Sequence, residues 1–190
     1  MPEEFRKNIV YTREDFTLKP LPALEFDHCT FSGCVFLNID LTDIKFNTCV
    51  FENCDLTMAI LKQKSFVNAR FFNCKLLGLR FDHCDTFTLS FQFEECVLSF
   101  ASFYKLKLKN TKFVNCKLEE VEFIQTDLSN AIFDGCDLIR AAFENTILEN
   151  ADLRTASNFS INPEFNRIKN AKFSYGNISG LLDNFQISIS

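Results

Sequence analysis

Between Thr111 and Leu153 the chain reads TKFVN CKLEE VEFIQ TDLSN AIFDG CDLIR AAFEN TILEN ADL, and the same short word returns every five residues. The third residue of each word is Phe or Leu, and a small or β-branched residue stands two positions earlier. The residue between them is mostly polar, so three extended residues point inward, outward and inward, as alternation along a strand requires. The large apolar positions, here called repeat centres, are Phe113, Leu118, Phe123, Leu128, Phe133, Leu138, Phe143, Leu148 and Leu153.

This spacing predicts a coil of short strands. An apolar position that recurs every five residues drifts around the 3.6-residue turn of a helix and makes no stripe on it. Three strand residues followed by a two-residue corner turn the chain instead, and four such edges close one coil in about 20 residues. Equivalent residues of successive coils then stack at the inter-strand spacing of about 4.8 Å. We therefore predict an all-β quadrilateral solenoid of about seven to eight coils.

The composition agrees with one such domain. The chain has 190 residues, of which 47% are hydrophobic, with 24 Phe and no Trp. Stacked aromatic side chains at the repeat centres explain this Phe content better than a cofactor site would. The net charge of −5 does not favour direct nucleic-acid binding. Since the sequence has no signal-like start and no run of 18 apolar residues, we expect a soluble, cytoplasmic protein without membrane contact.

The pattern also predicts the organisation of the chain. Residues 1–23 carry the repeat poorly and are expected to be an N-terminal cap, followed by the repeat solenoid over 24–180. The centres Phe91 and Leu98 lie seven residues apart, which predicts a two-residue register slip within 92–97. The words fail again over 154–167, where we expect a loop. The apolar tail 181–190 is expected to cap the last coil or to pair with a second copy.

The repeat also assigns the cysteines a structural role. All nine stand two residues before a repeat centre, where a small buried side chain is needed. The tetrapeptide Phe-Asp-His-Cys occurs twice, ending at Cys29 and Cys84, but the two copies fall on different faces and cannot converge on one metal ion. No nucleophile elbow or phosphate-binding loop is visible. We therefore expect free thiols, no metal, no cofactor and no enzymatic activity.

Two sets of outward residues are candidates for partner binding. Near the slip, aromatic residues outside the inward positions either pack on one another or form an exposed patch, and they are Phe87, Phe93, Phe100 and Tyr104. Residues 116–152 carry nine acidic and two basic side chains. These carboxylates either only solubilise the protein or present a phosphate-like array to a protein that normally holds DNA. They are Glu119, Glu120, Glu122, Asp127, Asp134, Asp137, Glu144, Glu149 and Asp152.

The repeated words resemble those of a known family. Cys-Lys-Leu at 116–118, Thr-Asp-Leu at 126–128, Cys-Asp-Leu at 136–138 and Ala-Asp-Leu at 151–153 are similar to the A-(D/N)-L-X-X signature of pentapeptide-repeat proteins. That resemblance implies a right-handed quadrilateral β-helix. Qnr-type quinolone-resistance members are acidic rods that resemble B-DNA, bind DNA gyrase and topoisomerase IV, and dimerise through their C-terminal ends. Gram-negative Qnr members carry two long projecting loops, and this sequence has none inside the repeats.

The resemblance implies a functional hypothesis. We expect a non-enzymatic protein-binding rod, a DNA mimic that protects or modulates DNA gyrase or topoisomerase IV, and a homodimer joined at the C-terminal end. The alternative is a scaffold that recognises an unrelated protein through the aromatic residues or the 154–167 loop.

Overall fold

The computed structural model describes residues 3–62, 66–84, 89–185 and 187. Within them the chain forms short strands and three short 3₁₀ turns, at Phe81–His83, Ile178–Leu181 and Asp183–Phe185. The strands are β1 (Glu3–Lys7), β2 (Val10–Thr12), β3 (Ala23–Asp27), β4 (Thr30–Ser32), β5 (Lys45–Asn47), β6 (Val50–Glu52), β7 (Phe66–Val67), β8 (Ala69–Phe72), β9 (Phe91–Glu94), β10 (Lys112–Val114) and β11 (Ile132–Asp134).

Every strand pair in these ranges is parallel and joins one coil to the next. The first sheet has the order β1-β3-β5-β7, and the second β11-β10-β9-β8-β6-β4-β2. We call the sides that carry them face 1 and face 2. Faces 3 and 4 follow in chain order. Within each of them, single parallel bridges join one coil to the next, such as Val35 with Asp55 on face 3 and Ser102 with Glu122 on face 4. The predicted all-β, four-sided solenoid is confirmed.

The ladder of face 2 shows how far the coils continue. Its seven strands make six steps, with registers such as Phe113 opposite Phe133. Bridges from Ile132 to Asp152 and from Asp152 to Lys172 add two further steps. Face 2 therefore makes eight steps from coil to coil, and the sequence predicts seven to eight coils. Because neighbouring coils supply each other's hydrogen-bond partners, the backbone is satisfied without long strands.

The interior is filled by aromatic columns that run along the solenoid axis. Phe113 stacks on Phe93 with ring centroids 5.3 Å apart and on Phe133 at 5.0 Å, with interplanar angles of 10° and 3°. Edge-to-face contacts link this column to Phe103 and Phe123 of face 4, at 6.0 and 5.9 Å. These geometries are the favourable ones for aromatic pairs. The predicted aromatic core is therefore confirmed.

The small-residue columns explain why both Cys and Thr occur two residues before a repeat centre. The thiol of Cys54 donates to the carbonyl oxygen of Phe31 at 3.2 Å, 23 residues earlier. The hydroxyl of Thr126 makes the same bond to Phe103 at 2.7 Å. All nine cysteines are buried and free, as predicted. The position therefore favours a small side chain that can donate to the preceding coil.

The corners use left-handed backbone. The second corner residue of most coils has positive φ, between 47° and 67° in the described residues, and Asn is the residue most often found there. Asn adopts this conformation more readily than other non-glycine residues. The polar residues between the strand words therefore specify the turns of the coil.

The register slip lies earlier than the sequence predicts. Ala69 pairs with Phe91 and Phe71 pairs with Phe93, so both pairs are 22 residues apart and the two extra residues precede Phe91. Phe93, and not Phe91, is therefore the repeat centre, while Phe91 occupies the small-residue position. A shift of two residues keeps the same alternation of inward and outward side chains, which is why either Phe fits the pattern.

The two ends of the chain also differ from expectation. Residues expected to cap the N-terminus form part of the first coil, because β1 and β2 pair with β3 and β4 in the regular register. Segment 154–167 follows the coil and does not project as a loop: Leu138 donates to the carbonyl of Ser157, and Leu148 to that of Arg167. The 3₁₀ turn at Ile178–Leu181 lies against the last coil, where Ile161 donates to the carbonyl of Gly180 at 2.8 Å.

Candidate functional site

The nine carboxylates of residues 116–152, here called the acidic girdle, surround the rod. Four of them occupy the outward middle position of a strand edge, one on each face: Asp127 on face 1, Asp152 on face 2, Asp137 on face 3 and Glu122 on face 4. The others lie at the corners between these faces: Glu149, Asp134, Glu119, Glu120 and Glu144. None of the nine is buried. The structure therefore places the predicted residues in one band but not in a single row.

Basic side chains pair with five members of the acidic girdle. Arg140 donates to Glu119 and, at 2.8 Å, to Glu120 on the corner between faces 3 and 4. Arg154 holds Asp152 at 2.7 Å. Lys109 holds Asp127 at 3.3 Å and Arg167 holds Glu149 at 2.7 Å. The basic side chain of each pair is more than half exposed, and ion pairs of this kind contribute little to stability.

Neutral donors fix three further carboxylates. Ser102 donates to Glu122 at 2.6 Å, Thr155 donates to Asp134 at 2.8 Å, and Asn158 donates to Asp137 at 2.8 Å. These neutral donors orient the carboxylates and add no positive charge to offset theirs. The girdle consequently keeps a large negative charge at neutral pH.

Local structure also stabilises the charge of Asp127 and Asp152. Partial burial opposes ionisation of Asp127, but hydrogen bonds from Ser129 and Lys109 hold its pKa below the ordinary value. The hydrogen bond from the Arg154 guanidinium lowers the pKa of Asp152. Both carboxylates therefore remain charged well into the acidic range.

The aromatic patch predicted from Phe87, Phe93, Phe100 and Tyr104 is not formed as one surface. Phe93 is 1% exposed because it is a repeat centre inside the coil, so the expectation for this residue was wrong. Phe100 is exposed on the corner between faces 3 and 4. Tyr104 is half-buried on the next corner, where Lys105 Nζ lies 4.7 Å from its ring centroid. Phe87 lies outside the described residues.

The structure adds residues that the sequence reasoning missed. Leu37, Met58 and Leu77 lie on the same corner as Phe100, at successive coils. The signal was present in the corner dipeptides Leu-Asn, Thr-Met, Leu-Gly and Ser-Phe, which recur at intervals of one coil. These apolar residues lie outside the inward positions from which the core was predicted.

The two Phe-Asp-His-Cys segments hold their histidines beside carboxylates. His28 Nδ1 is 2.9 Å from Asp27, and His83 Nε2 is 3.8 Å from Asp82. Within the described ranges, no group of three or more His, Cys, Asp or Glu side chains is placed to hold a metal ion. Of the helices in the same ranges, none has the length and apolar character needed to span a bilayer.

Similar solved structures share this architecture. A trypsin-treated variant of QnrB1, described as a plasmid-mediated fluoroquinolone resistance protein, matches with a TM-score of 0.75 and 17% sequence identity, covering 100% of this chain and 92% of that one. Full-length QnrB1 matches with a TM-score of 0.62 and 16% identity, covering 96% of this chain and 100% of that one. At these identities the likeness shows the fold.

Family models match most of the repeat. No curated protein matches the sequence significantly. A model described as a pentapeptide repeat region matches residues 86–180, and one described as pentapeptide repeats in eight copies matches residues 25–63 and 49–85. The strand register, the Cys and Thr columns and these matches agree, and the chain belongs to the pentapeptide-repeat family.

Proposed function

We propose that this protein is a non-enzymatic, protein-binding rod whose acidic girdle occupies a protein surface that normally holds DNA. The partner we propose is a type II topoisomerase, DNA gyrase or topoisomerase IV. The observation that carries the proposal is the distribution of the carboxylates, which lie on all four faces and all four corners of adjacent coils. Phosphates likewise surround a DNA duplex, so a binding cleft meets negative charge from any side.

The charge density of the girdle supports this proposal. Its 37 residues make slightly less than two coils and rise about 9 Å along the axis. Nine acidic and two basic residues then give about one net negative charge per 1.3 Å. Counting Lys109, Arg154 and Arg167, which pair with the girdle from outside it, lowers this to about one per 2 Å. Duplex DNA carries about one per 1.7 Å.

The ion pairs of the girdle do not oppose this role. Arg140, Arg154 and Arg167 are more than half exposed in their pairs. Exposed pairs are weak, so basic residues of a partner can replace them at small cost. The long-range field, which steers a partner into contact, depends on the net charge and persists whether or not the pairs form.

The C-terminal end offers a route to a longer acidic rod. Large apolar side chains remain exposed beside the last coil: Phe165, Tyr175, Ile178, Phe185 and Ile187. A self-complementary apolar surface at the end of a rod is suited to a two-fold homodimer. Two copies joined there would place one acidic girdle on each side of the dimer axis.

A gyrase supercoiling assay tests the proposal. We expect the wild-type protein, added at micromolar concentration, to change supercoiling activity or its inhibition by a quinolone. Reversing three girdle charges, Glu119→Lys, Glu120→Lys and Glu122→Lys, should abolish the effect. The matched control reverses Asp43, Glu94 and Glu95, which lie outside the girdle.

The control variant changes the net charge equally and should behave as wild type. The wild-type effect should also weaken as salt rises from 50 to 200 mM, because a charge-driven contact is screened (Debye length about 10 Å at 0.1 M). A wild-type protein that changes neither supercoiling nor drug inhibition would exclude DNA gyrase as the partner. If both triple variants lost the effect equally, the acidic girdle would not be the specific binding surface.

A further inference from the structure

The corner between faces 3 and 4 is the apolar corner of the rod. Its outward residues in successive coils include Leu37, Met58, Leu77 and Phe100, and the first, second and fourth are 39%, 56% and 55% exposed. Ile60 of face 4 lies beside them and is 45% exposed. We call these five residues the apolar ridge. The corner between faces 1 and 2, diagonally opposite, instead carries mainly Asn, Lys, Ser and Glu among the described coils.

Backbone hydrogen bonds place the members of the ridge in line along the axis. The amide of Met58 donates to the carbonyl of Leu77 at 2.9 Å, and the amide of Gly78 donates to that of Ser99 at 3.0 Å. The amide of Phe100 then donates to the carbonyl of Glu119 at 2.9 Å. Each bond joins one coil to the next, so the ridge advances by about 4.8 Å per coil.

Two members of the ridge stand where the fold favours other residues. Met58 and Phe100 have φ of 55° and 63°. Among the described residues with positive φ, they are the two with wholly apolar side chains. Asn or Gly would adopt this conformation with less strain, and both side chains are left in contact with water. Local choices that oppose the fold are characteristic of binding sites.

The side chain of Met58 packs over the corner of the next coil, where the ridge has a glycine. Gly78 occupies the corner position between Met58 and Phe100 and has φ of 67°. A Cβ atom at Gly78 would lie 2.4 Å from Met58 Sδ, so the thioether rests on the bare glycine backbone. Met58 thus covers the corner between its own coil and that of Phe100, and its flexible thioether can adapt its shape to an apolar partner.

Negative charge follows the ridge at one end. The next corner residues after Phe100 are Glu119 and Glu120, and Glu122 follows on face 4. Arg140 pairs with the first two, and Glu122 accepts a hydrogen bond from the neutral Ser102. The surface thus changes from apolar to acidic along the axis.

We propose that the apolar ridge binds an amphipathic α-helix of a partner protein. The helix lies along the axis, packs its apolar face against the ridge, and places basic residues against Glu119, Glu120 and Glu122. A helix repeats its apolar face every 5.4 Å, close to the coil rise of about 4.8 Å. An extended strand repeats the same side every 6.6 to 6.8 Å, or about 7 Å, and loses register sooner.

The helix site does not depend on DNA-like charge. The contact is apolar over the coils from Leu37 to Phe100, and only its end uses carboxylates of the acidic girdle. From Leu37 to Glu120 the surface makes four coil steps, or about 19 Å, which a helix of about 13 residues spans. Such a helix-in-groove contact is a common mode of peptide recognition.

The ridge can be removed without weakening the fold. Met58→Asn and Phe100→Asn place at these corners the residue that the chain itself uses at equivalent left-handed positions, such as Asn38. The double variant should therefore unfold at a temperature no lower than wild type. Thr48→Asn, at φ of 51° on the corner between faces 1 and 2, is the matched control.

The probes are labelled helical peptides of about 15 residues, measured by fluorescence anisotropy. All carry a Leu stripe at i, i+3, i+4 and i+7, displayed in every register, and end in two Lys, two Glu or two Gln. We expect Lys-ended peptides to bind wild type best, and the double variant to bind them at least about tenfold more weakly. Thr48→Asn should bind as wild type does.

Several results would overturn the proposal. These are no binding by any peptide up to millimolar concentration, equal binding by the double variant, or no preference for the Lys end. A wild-type oligomer that dissociates in the double variant would assign the ridge to a contact between copies instead. Because Met58 and Phe100 are uncharged, any of these outcomes leaves the test of the acidic girdle against gyrase untouched.

Discussion

Replacing Phe113 by alanine removes a ring at the centre of the aromatic core. Phe113 is 0% exposed and contacts four rings, two stacked and two edge-to-face. A buried Phe→Ala change costs about 3–5 kcal/mol. The stacked rings of the coils on both sides prevent the surrounding residues from closing the cavity left by the missing ring. We therefore expect a cost at the upper end of that range, about 4–5 kcal/mol.

Phe143 provides the matched comparison. It is 8% exposed and stacks on Phe123 at 5.3 Å, but the following coil supplies no described ring above it. Phe143→Ala should therefore cost about 1–2 kcal/mol less than Phe113→Ala. Urea unfolding at 25 °C, followed by far-ultraviolet circular dichroism, measures both, and an unchanged m value shows that the same unit unfolds. A Phe113→Ala cost below about 2 kcal/mol, or equal costs, would refute the reasoning from continuous columns.

Three further predictions concern buried thiols and acidic groups. Cys116→Thr should fold with nearly wild-type stability, because Thr126 is buried at the corresponding inward position and donates to the preceding coil. Cys116→Arg should be insoluble because it buries an unpaired charge, and a soluble, folded Cys116→Arg would contradict the inward placement. All nine thiols should resist Ellman's reagent until urea unfolds the chain, because they are buried and because burial raises the pKa of Cys49 to about 12. Rapid labelling of even one thiol in the native protein would contradict this prediction. The carboxyl groups of Asp127 and Asp152 have lowered pKa values in the folded protein, so the stability they contribute is complete above the unfolded pKa of about 3.9 and is lost as pH falls through the folded pKa values. The urea midpoint of the wild type should therefore drop below about pH 4, and that of Asp127→Asn should drop by a smaller amount.

Much of the fold could be predicted because each residue of the repeat answers one physical requirement. A Phe or Leu at every centre, as at Phe113, and a small or β-branched residue two positions earlier, as at Cys116, are enough to specify strand, corner and coil. The register slip was placed wrongly because Phe91 and Phe93 both fit the alternation. Counting back 20 residues from Phe113 reaches Phe93, which is the signal that identifies the true centre.

The candidate sites were less predictable because they depend on which residues of successive coils lie side by side on the surface. The sequence shows that residues 116–152 are acidic, but only the coil geometry shows that their carboxylates surround the rod. Phe93 and Phe100 look alike as aromatic residues near an irregular coil. The first is a repeat centre and the second is a corner residue, and this difference of position decides that one is buried and the other exposed.

The hydrogen bonds between coils also determine how the rod would respond to force. They run along the solenoid axis, as in the bonds from Leu118 to Asp137 and from Leu138 to Ser157. Tension applied along that axis opens these bonds one coil at a time instead of shearing a whole sheet together. Each released coil of about 20 residues lengthens the chain by about 65 Å, the extended length of 20 residues less one coil rise. Stretched between two partners, the molecule would therefore yield in small, nearly equal steps at low force.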